Sequence, residues 1–258
     1  MHLYKCVRRQ YNEWMRKNIF ILVLSSLLYN WGAAYANPKP VPITATSWLV
    51  ADSTGRIIQQ ENSQEIRSIA SISKLMTAIV VLDARQDLDE YIKPYTRREL
   101  IQLALVKSDN KAAKILCENY PGGLSSCIRA MNTKAHYNAM PNTNFIEPTG
   151  LSVFNVSTAE ELIKMVMLAS TYPEIVEASK TSEVKIKLKK KWFVFRNTNP
   201  IIGKRHDFIV SKTGYIRASG GCIVMMLDTD IGRRIVVVLG SKNTHTRIPE
   251  AEFIAAGH

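Results

Sequence analysis

Strand patterns stand at both ends of the chain and helical patterns fill the middle, and this order restricts the fold more than any other feature. Residues 47–53 and 56–60 flank Thr54-Gly55 and predict a β-hairpin. Helical periodicity then covers 71–84, 97–105, 110–119, 125–134 and 159–168. Strand patterns follow at 184–188, 208–216, 222–227 and 234–240. The order predicts an α+β fold in which both ends of the chain build one antiparallel sheet beside a central helical block.

The first 36 residues have the order of an export signal. Arg16 and Lys17 precede an apolar run at 19–28, and Ala34-Tyr35-Ala36 follows it. We expect 1–36 to be a cleaved secretory signal peptide, with translation starting at Met1 or at Met15. We then expect residues 37–258 to form a single exported domain of the size of a catalytic domain. The apolar run is too short to span a bilayer, so we expect no stable membrane anchor after cleavage.

The net charge of +12 favours acidic partners. Export argues against nucleic acid as that partner, and the chain has no basic and aromatic stripe of the RNA-binding kind. No CxxC pair and no histidine-rich spacing indicates a metal, and we expect no cofactor.

Three cysteines follow the expected signal peptide, so one disulfide can form in an oxidising compartment. Cys117 and Cys127 flank the turn Tyr120-Pro121-Gly122-Gly123, which should fold two helices back on each other. We therefore expect these two residues to pair. Cys222 lies in an apolar strand pattern and is interpreted as a buried thiol.

Three short motifs occur in order, each in a fitting context. Ser71-Ile72-Ser73-Lys74 opens a helix, where residues three apart share a face, so that a hydroxyl and an amine can meet. Ser108-Asp109-Asn110 lies in a polar turn between helices, and Lys212-Thr213-Gly214 lies within a strand pattern. Each motif alone has a structural explanation as a cap or an edge strand. Together they match the set known from class A β-lactamases and penicillin-binding proteins.

With these motifs the chain resembles the low-molecular-mass penicillin-binding proteins, which are serine D-alanyl-D-alanine peptidases. Within them it is most similar to the periplasmic, penicillin-binding protein 7-like endopeptidase group. The resemblance is carried by 68–78, 147–152, 196–200 and 211–215, and it extends over roughly 45–242. It implies the β-lactamase/transpeptidase-like fold, peptidoglycan as the partner and covalent inhibition by β-lactams.

The resemblance also implies a catalytic role for four residues. Ser71 would be the nucleophile and Lys74 its base. Ser108 would relay a proton to the leaving amine, and Asn110 would hold the substrate amide.

On the substrate side, the resemblance implies that Lys212 and Thr213 bind the carboxylate beside the scissile bond. Gly214 lets the strand approach its neighbours or the ligand closely. The backbone N–H groups of Ser71 and Tyr215 would form the oxyanion hole.

Cleavage of D-alanyl–diaminopimelyl cross-links is the interpretation that we favour, and three alternatives stay open. A D-alanyl-D-alanine carboxypeptidase would bind the same carboxylate. A β-lactamase would need a glutamate-held water, but Leu151 stands four residues after Glu147, where such enzymes have Asn. The last alternative, a non-catalytic peptidoglycan-binding module, has no support from the motifs, because every expected catalytic side chain is present.

A lysine run at 187–191 is interpreted as the solvated face of a strand. The alternative, attraction to anionic peptidoglycan, has only the charge of the run in its favour. Trp192 and Phe193 follow it, and we expect them to lie in the core instead of forming a platform for sugars.

Overall fold

The computed structural model describes residues 41–204 and 207–257, so the expected signal peptide lies outside the described residues. The strands are β1 (Ser47–Asp52), β2 (Ile57–Glu61), β3 (Arg67–Ser68), β4 (Tyr91–Ile92), β5 (Tyr95–Thr96), β6 (Val156–Ser157), β7 (Glu183–Leu188), β8 (Lys191–Arg196), β9 (Asp207–Ile216), β10 (Gly220–Thr229) and β11 (Gly232–Ser241). The α-helices are α1 (Ser73–Asp83), α2 (Arg97–Gln102), α3 (Asn110–Glu118), α4 (Gly123–Tyr137), α5 (Ala159–Ala169), α6 (Pro173–Lys180) and α7 (Arg247–Ala255).

The main sheet has five antiparallel strands in the order β2-β1-β11-β10-β9. Strand β1 pairs with β11 from Ser47↔Leu239 to Asp52↔Arg234, which joins the two ends of the described chain. The predicted α+β architecture, with its sheet built from both ends, is therefore confirmed.

The sheet has a core on each face, because successive residues of a strand point to opposite sides. On one side Leu49, Val224 and Val237 pack against the helical block. On the other side Val50 and Ile223 belong to a smaller cluster with Ile254 of α7. The sequence analysis did not anticipate α7, which covers the face that would otherwise expose these strands to water.

Helix α1 lies at the centre of the helical block. Its residues from Ser73 to Val81 are all buried, and those that follow Thr77 are apolar up to Leu82, as expected for a helix enclosed on all sides. A 3₁₀ turn, Ala70–Ile72, leads into it and carries Ser71. None of the helices in the described part of the chain is long and apolar enough to cross a membrane.

Strands β7 and β8 form a separate two-stranded hairpin outside the main sheet. The expectation that Trp192 and Phe193 lie in the core is wrong, since 66% and 42% of these residues are exposed. For Trp192 the physical reason is that only one face of the hairpin is covered. Val184 and Ile186 are buried on that face, and cross-strand pairing puts Trp192 on the other one beside Lys187. Phe193 pairs with Ile186 on the covered face and is only partly enclosed there.

A disulfide joins Cys117 of α3 to Cys127 of α4, with a Cα–Cα distance of 5.3 Å. Both residues are fully buried where the two helices fold back on each other. Cys222 is buried in β10 as a free thiol.

We expect thiol titration of the exported, denatured protein to detect one free thiol, that of Cys222. Reduction of the disulfide should lower the free energy of unfolding by roughly 2–3 kcal/mol, because it releases a short covalent loop in the unfolded chain. Titration with and without reductant, followed by urea unfolding, tests both statements. Detection of three thiols without reductant would contradict the pairing.

Candidate active site

The 3₁₀ turn before α1 brings a hydroxyl and an amine together. Lys74 Nζ lies 2.8 Å from Ser71 Oγ, because residues three apart face the same side of the helix. Ser71 is half-buried, whereas Lys74 is fully buried. The hydroxyl is therefore accessible from outside while the amine contacts it from the protein side.

Lys74 donates two further hydrogen bonds, to Asn110 Oδ1 at 2.7 Å and to the backbone carbonyl of Thr149 at 2.5 Å. Burial lowers the pKa of Lys74 to about 8, although the negative charges of Glu147 and Asp109 oppose the shift. With this pKa, about a tenth of the lysine is neutral at pH 7. A neutral amine at hydrogen-bonding distance can accept the proton of the Ser71 hydroxyl.

The second motif is positioned by a π-helical turn, Leu103–Lys107, which replaces the regular end predicted for the helix at 97–105. The turn ends at Ser108, whose φ of 59° places it in the left-handed region. Asp109 then caps α3 by accepting from Ala112 N–H at 2.8 Å. Asn110 is the first residue of α3, so its side chain reaches Lys74 from the opposite helix.

The third motif lies on β9, the outer strand of the described sheet. Lys212 is buried, and its Nζ contacts Ser108 Oγ at 2.8 Å and the carbonyl of Thr213 at 2.9 Å. Burial holds the pKa of Lys212 well below its usual range, and the positive charges of Lys74 and Arg247 add to the shift. The positive charges of Lys74 and Arg247 thus act on Lys212, while the negative charges of Glu147 and Asp109 act on Lys74.

Two glycines allow the surrounding backbone to close on the turn that carries the hydroxyl. A Cβ at Gly214 would lie 3.0 Å from the backbone nitrogen of Ser71, so β9 can approach only because this residue has no side chain. A Cβ at Gly150, which has φ +79°, would lie 1.9 Å from the carbonyl oxygen of Ala70. Tyr215 follows Gly214 and is 47% exposed at the rim.

The carboxylate of Glu147 organises the turn that contains Thr149. One oxygen accepts from Thr149 N–H at 2.7 Å and from its hydroxyl at 2.6 Å. The other accepts from Gly150 N–H at 2.6 Å and from Ser152 N–H at 3.3 Å. Both oxygens are therefore occupied by donors of the turn, and the Thr149 carbonyl is left pointing at Lys74.

The structure thus brings together Ser71, Lys74, Ser108, Asn110, Lys212, Thr213 and Gly214, with Tyr215 at the edge. Sequence reasoning missed three contributors. The Thr149 carbonyl belongs to the backbone, so no side chain indicates it. The hydroxyl of Thr198 forms a hydrogen bond with Thr213 Oγ1 at 2.6 Å, and the stretch that contains Thr198 was noted only as part of the family resemblance. Arg247 of α7 donates to the carbonyl of Gly214 at 2.6 Å, and no motif announces it.

The chain is similar to a known protein family and to several named proteins. The chain matches the model of the peptidase S11 family, described as D-alanyl-D-alanine carboxypeptidase, over residues 34–93 and 90–243. A protein of Escherichia coli K12 named D-alanyl-D-alanine endopeptidase is 36% identical over 242 residues, 85% of this chain and 78% of that protein. A protein of the same name from Pseudomonas aeruginosa is 35% identical over 83% of this chain and 77% of its own length.

Solved structures show the same fold. Penicillin-Binding Protein D2 from Listeria monocytogenes, in its cefotaxime-bound form, gives a TM-score of 0.73 at 25% identity, covering 84% of this chain and 98% of that one. The DD-transpeptidase of Streptomyces K15 gives a TM-score of 0.76 at 24% identity, with coverage of 83% and 96%. These likenesses confirm the predicted fold class.

Proposed function

The chain belongs to the peptidase S11 family of D-alanyl-D-alanine carboxypeptidases, and from this premise we propose that it cleaves D-alanyl bonds of peptidoglycan through an acyl-enzyme on Ser71. As a member of that family it is a serine hydrolase. The observation that carries the residue assignment is the contact of 2.8 Å between Ser71 Oγ and the buried amine of Lys74. A serine next to a base of lowered pKa is the arrangement that nucleophilic catalysis needs.

Acylation begins when neutral Lys74 takes the proton of Ser71 and the Oγ attacks the carbonyl carbon of a D-alanyl residue. The carbon–nitrogen bond then breaks, and the proton passes from Lys74 to the leaving nitrogen by way of the Ser108 hydroxyl. Water completes the cycle by attacking the ester carbonyl carbon while Lys74 takes a proton from it. The bond between that carbon and Ser71 Oγ then breaks, and Lys74 returns the proton to Ser71 Oγ. We also assign to Asn110, which contacts Lys74, the role of holding the substrate amide.

For the oxyanion we assign the backbone N–H groups of Ser71 and Tyr215. The first N–H groups of a helix have no intrahelical acceptor, and the outer strand of a sheet carries unpaired backbone groups. The close approach of Gly214 to Ser71 N supports the pairing of these two elements around one carbonyl oxygen. Such fixed donors stabilise the charge that develops in the transition state.

The buried cations Lys212 and Arg247 favour an anionic group on the substrate. Lys212 and Arg247 lie close enough for the charge of one to lower the pKa of the other, and Arg247 Nε has no hydrogen-bond partner among the described residues. A carboxylate beside the scissile bond would offset this positive charge, with the Thr213 hydroxyl as a further donor.

A carboxylate occupies this position both in a terminal D-Ala-D-Ala and in a cross-link to the D-centre of diaminopimelate. We favour the cross-link, because the relatives from Escherichia coli and Pseudomonas aeruginosa are named endopeptidases. Digestion of purified cross-linked muropeptides and of monomeric pentapeptides, with products identified by mass, decides between them. Release of D-alanine from the monomers with the dimers untouched would make the enzyme a carboxypeptidase instead.

This substrate places the enzyme outside the cytoplasmic membrane. We therefore propose that residues 1–36 direct export to the periplasm, where the enzyme contributes to cell-wall remodelling and cell shape. The paired Cys117 and Cys127 are compatible with an oxidising compartment.

Glu147→Gln should slow acylation by a fluorescent penicillin about tenfold at pH values well above 8, where Lys74 is neutral in both proteins. An amide can accept with one atom only, so its nitrogen would face donors of the turn and displace the Thr149 carbonyl from Lys74. The loss of a negative charge also lowers the pKa of Lys74 further, because the Glu147 charge raises it. The acid limb of the pH–rate profile should therefore move to lower pH.

Glu118→Gln is a matched control, since Glu118 lies on the surface of α3 in an ion pair with Lys114. This control should leave both the rate and the profile unchanged. If Glu147→Gln has the rate and pH profile of the wild-type protein, the turn does not position Lys74.

A further inference from the structure

The β7–β8 hairpin presents an aromatic and basic surface that the proposed catalysis does not use. Its outer face pairs Lys187 with Trp192 and Lys185 with Val194. Trp192 is 66% exposed and Val194 is 50% exposed, so the face is not covered by any described element. Lys187 Nζ lies 5.9 Å from the centre of the Trp192 ring, which is within the range of a cation–π contact.

The charge of this surface is strongly positive. Lys189 and Lys190 form the tip of the hairpin. Lys191 begins β8, and Arg196 ends it. Glu183 is the one acidic residue of the hairpin strands, and it already pairs with Lys185 at 3.5 Å. A surface with one flat ring among several cations fits a ligand that has both apolar ring faces and carboxylates.

The hairpin leads directly into the candidate active site. Two residues after β8, Thr198 donates its N–H to the carbonyl of Val106 in the π-helical turn at 3.1 Å. Its hydroxyl bonds to that of Thr213 at 2.6 Å. From Thr198 back to Trp192 is six residues, or about 20 Å along an extended strand. A polymer that occupies the candidate active site can therefore continue along the hairpin to Trp192.

We propose that the outer face of the β7–β8 hairpin binds the glycan strand of peptidoglycan, with Trp192 stacked on a sugar ring and the neighbouring lysines paired with carboxylates of the peptide side chains. The inference rests on the proposed function, in which the catalytic site binds the same polymer at the end of the hairpin that leads into it. Continuity with that site and charge complementarity favour this ligand over a lipid surface or an acidic protein. The hairpin would keep the enzyme on the sacculus between cleavage events.

Trp192→Ala in the full exported chain tests the proposal. Its exposed ring can be removed without opening the core. We expect about five- to tenfold weaker co-sedimentation with purified sacculi and a similar loss in the rate of cross-link release from them. Acylation by penicillin and cleavage of soluble muropeptide dimers should stay at wild-type rates. Tyr137→Ala is the matched control, since Tyr137 is 81% exposed at the end of α4, outside the hairpin.

A double variant, Lys185→Gln with Lys187→Gln, tests the electrostatic part. Its binding to sacculi should be weaker at low salt and should approach that of the wild-type protein as salt increases. Unchanged sacculus binding by Trp192→Ala would overturn the proposal. So would Trp192-dependent binding to vesicles of anionic phospholipid with sacculus binding unaffected. Failure of the wild-type protein to acylate or to cleave dimers is a separate result, which would overturn the proposed function itself.

Discussion

Ser71→Ala is expected to lower the rate of D-alanyl peptide cleavage by roughly 10⁴–10⁶-fold and to abolish covalent labelling by a fluorescent penicillin. The substitution removes the nucleophilic oxygen, Ser71 Oγ, which lies 2.8 Å from the Lys74 amine. Water cannot replace it without the same activation and orientation, because the acyl-enzyme route divides one difficult step into two easier ones. Mass spectrometry of the protein after incubation with penicillin measures the labelling, and cleavage of muropeptide dimers measures the turnover.

The fold should tolerate this change, which keeps the result interpretable. Ser71 is half-buried, and among the described residues the only other hydrogen bond of its hydroxyl is to the Thr149 carbonyl at 3.5 Å. Thermal unfolding should therefore change little. Ser125→Ala, on an exposed position of α4, serves as a serine-to-alanine control with full activity expected. Peptidase activity retained by Ser71→Ala would show that the nucleophile is another residue.

Much of this site could be predicted because its chemistry depends on side chains with a fixed local spacing. The three residues from Ser71 to Lys74 are one helical step, so the contact between hydroxyl and amine follows from the helix itself. The continuous apolar runs of β10 and β11 likewise follow from burial on both faces of the sheet. In both cases the local pattern and the tertiary structure favour the same arrangement.

Other parts could not be predicted, because no local pattern encodes them. The Thr149 carbonyl acts through its backbone and is positioned by Glu147, a contact that depends on the conformation of the turn. The left-handed Ser108 results from a π-helical turn whose sequence is that of an ordinary helix. Trp192 is the clearest example. Apolar and polar residues alternate in the same way in a surface hairpin and in a half-buried sheet, so the pattern alone did not show that Trp192 is exposed.

The contacts of Glu147 also bear on the distinction between a peptidase and a β-lactamase. A β-lactamase frees itself of the acyl group with a water that is held and activated by a carboxylate. In this chain both oxygens of Glu147 accept hydrogen bonds within its own turn, from Thr149, Gly150 and Ser152. The carboxylate therefore holds its own turn together instead of a hydrolytic water, and the acyl-enzyme lacks this route of deacylation.

Incubation with benzylpenicillin should consequently give a protein that carries the mass of one penicillin and keeps it for minutes or longer. The strained amide and nearby carboxylate of penicillin resemble those of D-Ala-D-Ala, so Ser71 attacks the ring carbonyl and the ring bond to nitrogen breaks. The nitrogen stays tethered to the acyl group and obstructs the path of water, whereas a peptide leaving group diffuses away. Mass spectrometry of the protein and the concentration of the antibiotic, followed together, test this. Rapid loss of penicillin without a lasting adduct would indicate a β-lactamase, and neither adduct nor loss would indicate a binding module. The persistence of the adduct therefore separates a D-alanyl peptidase from both of these alternatives.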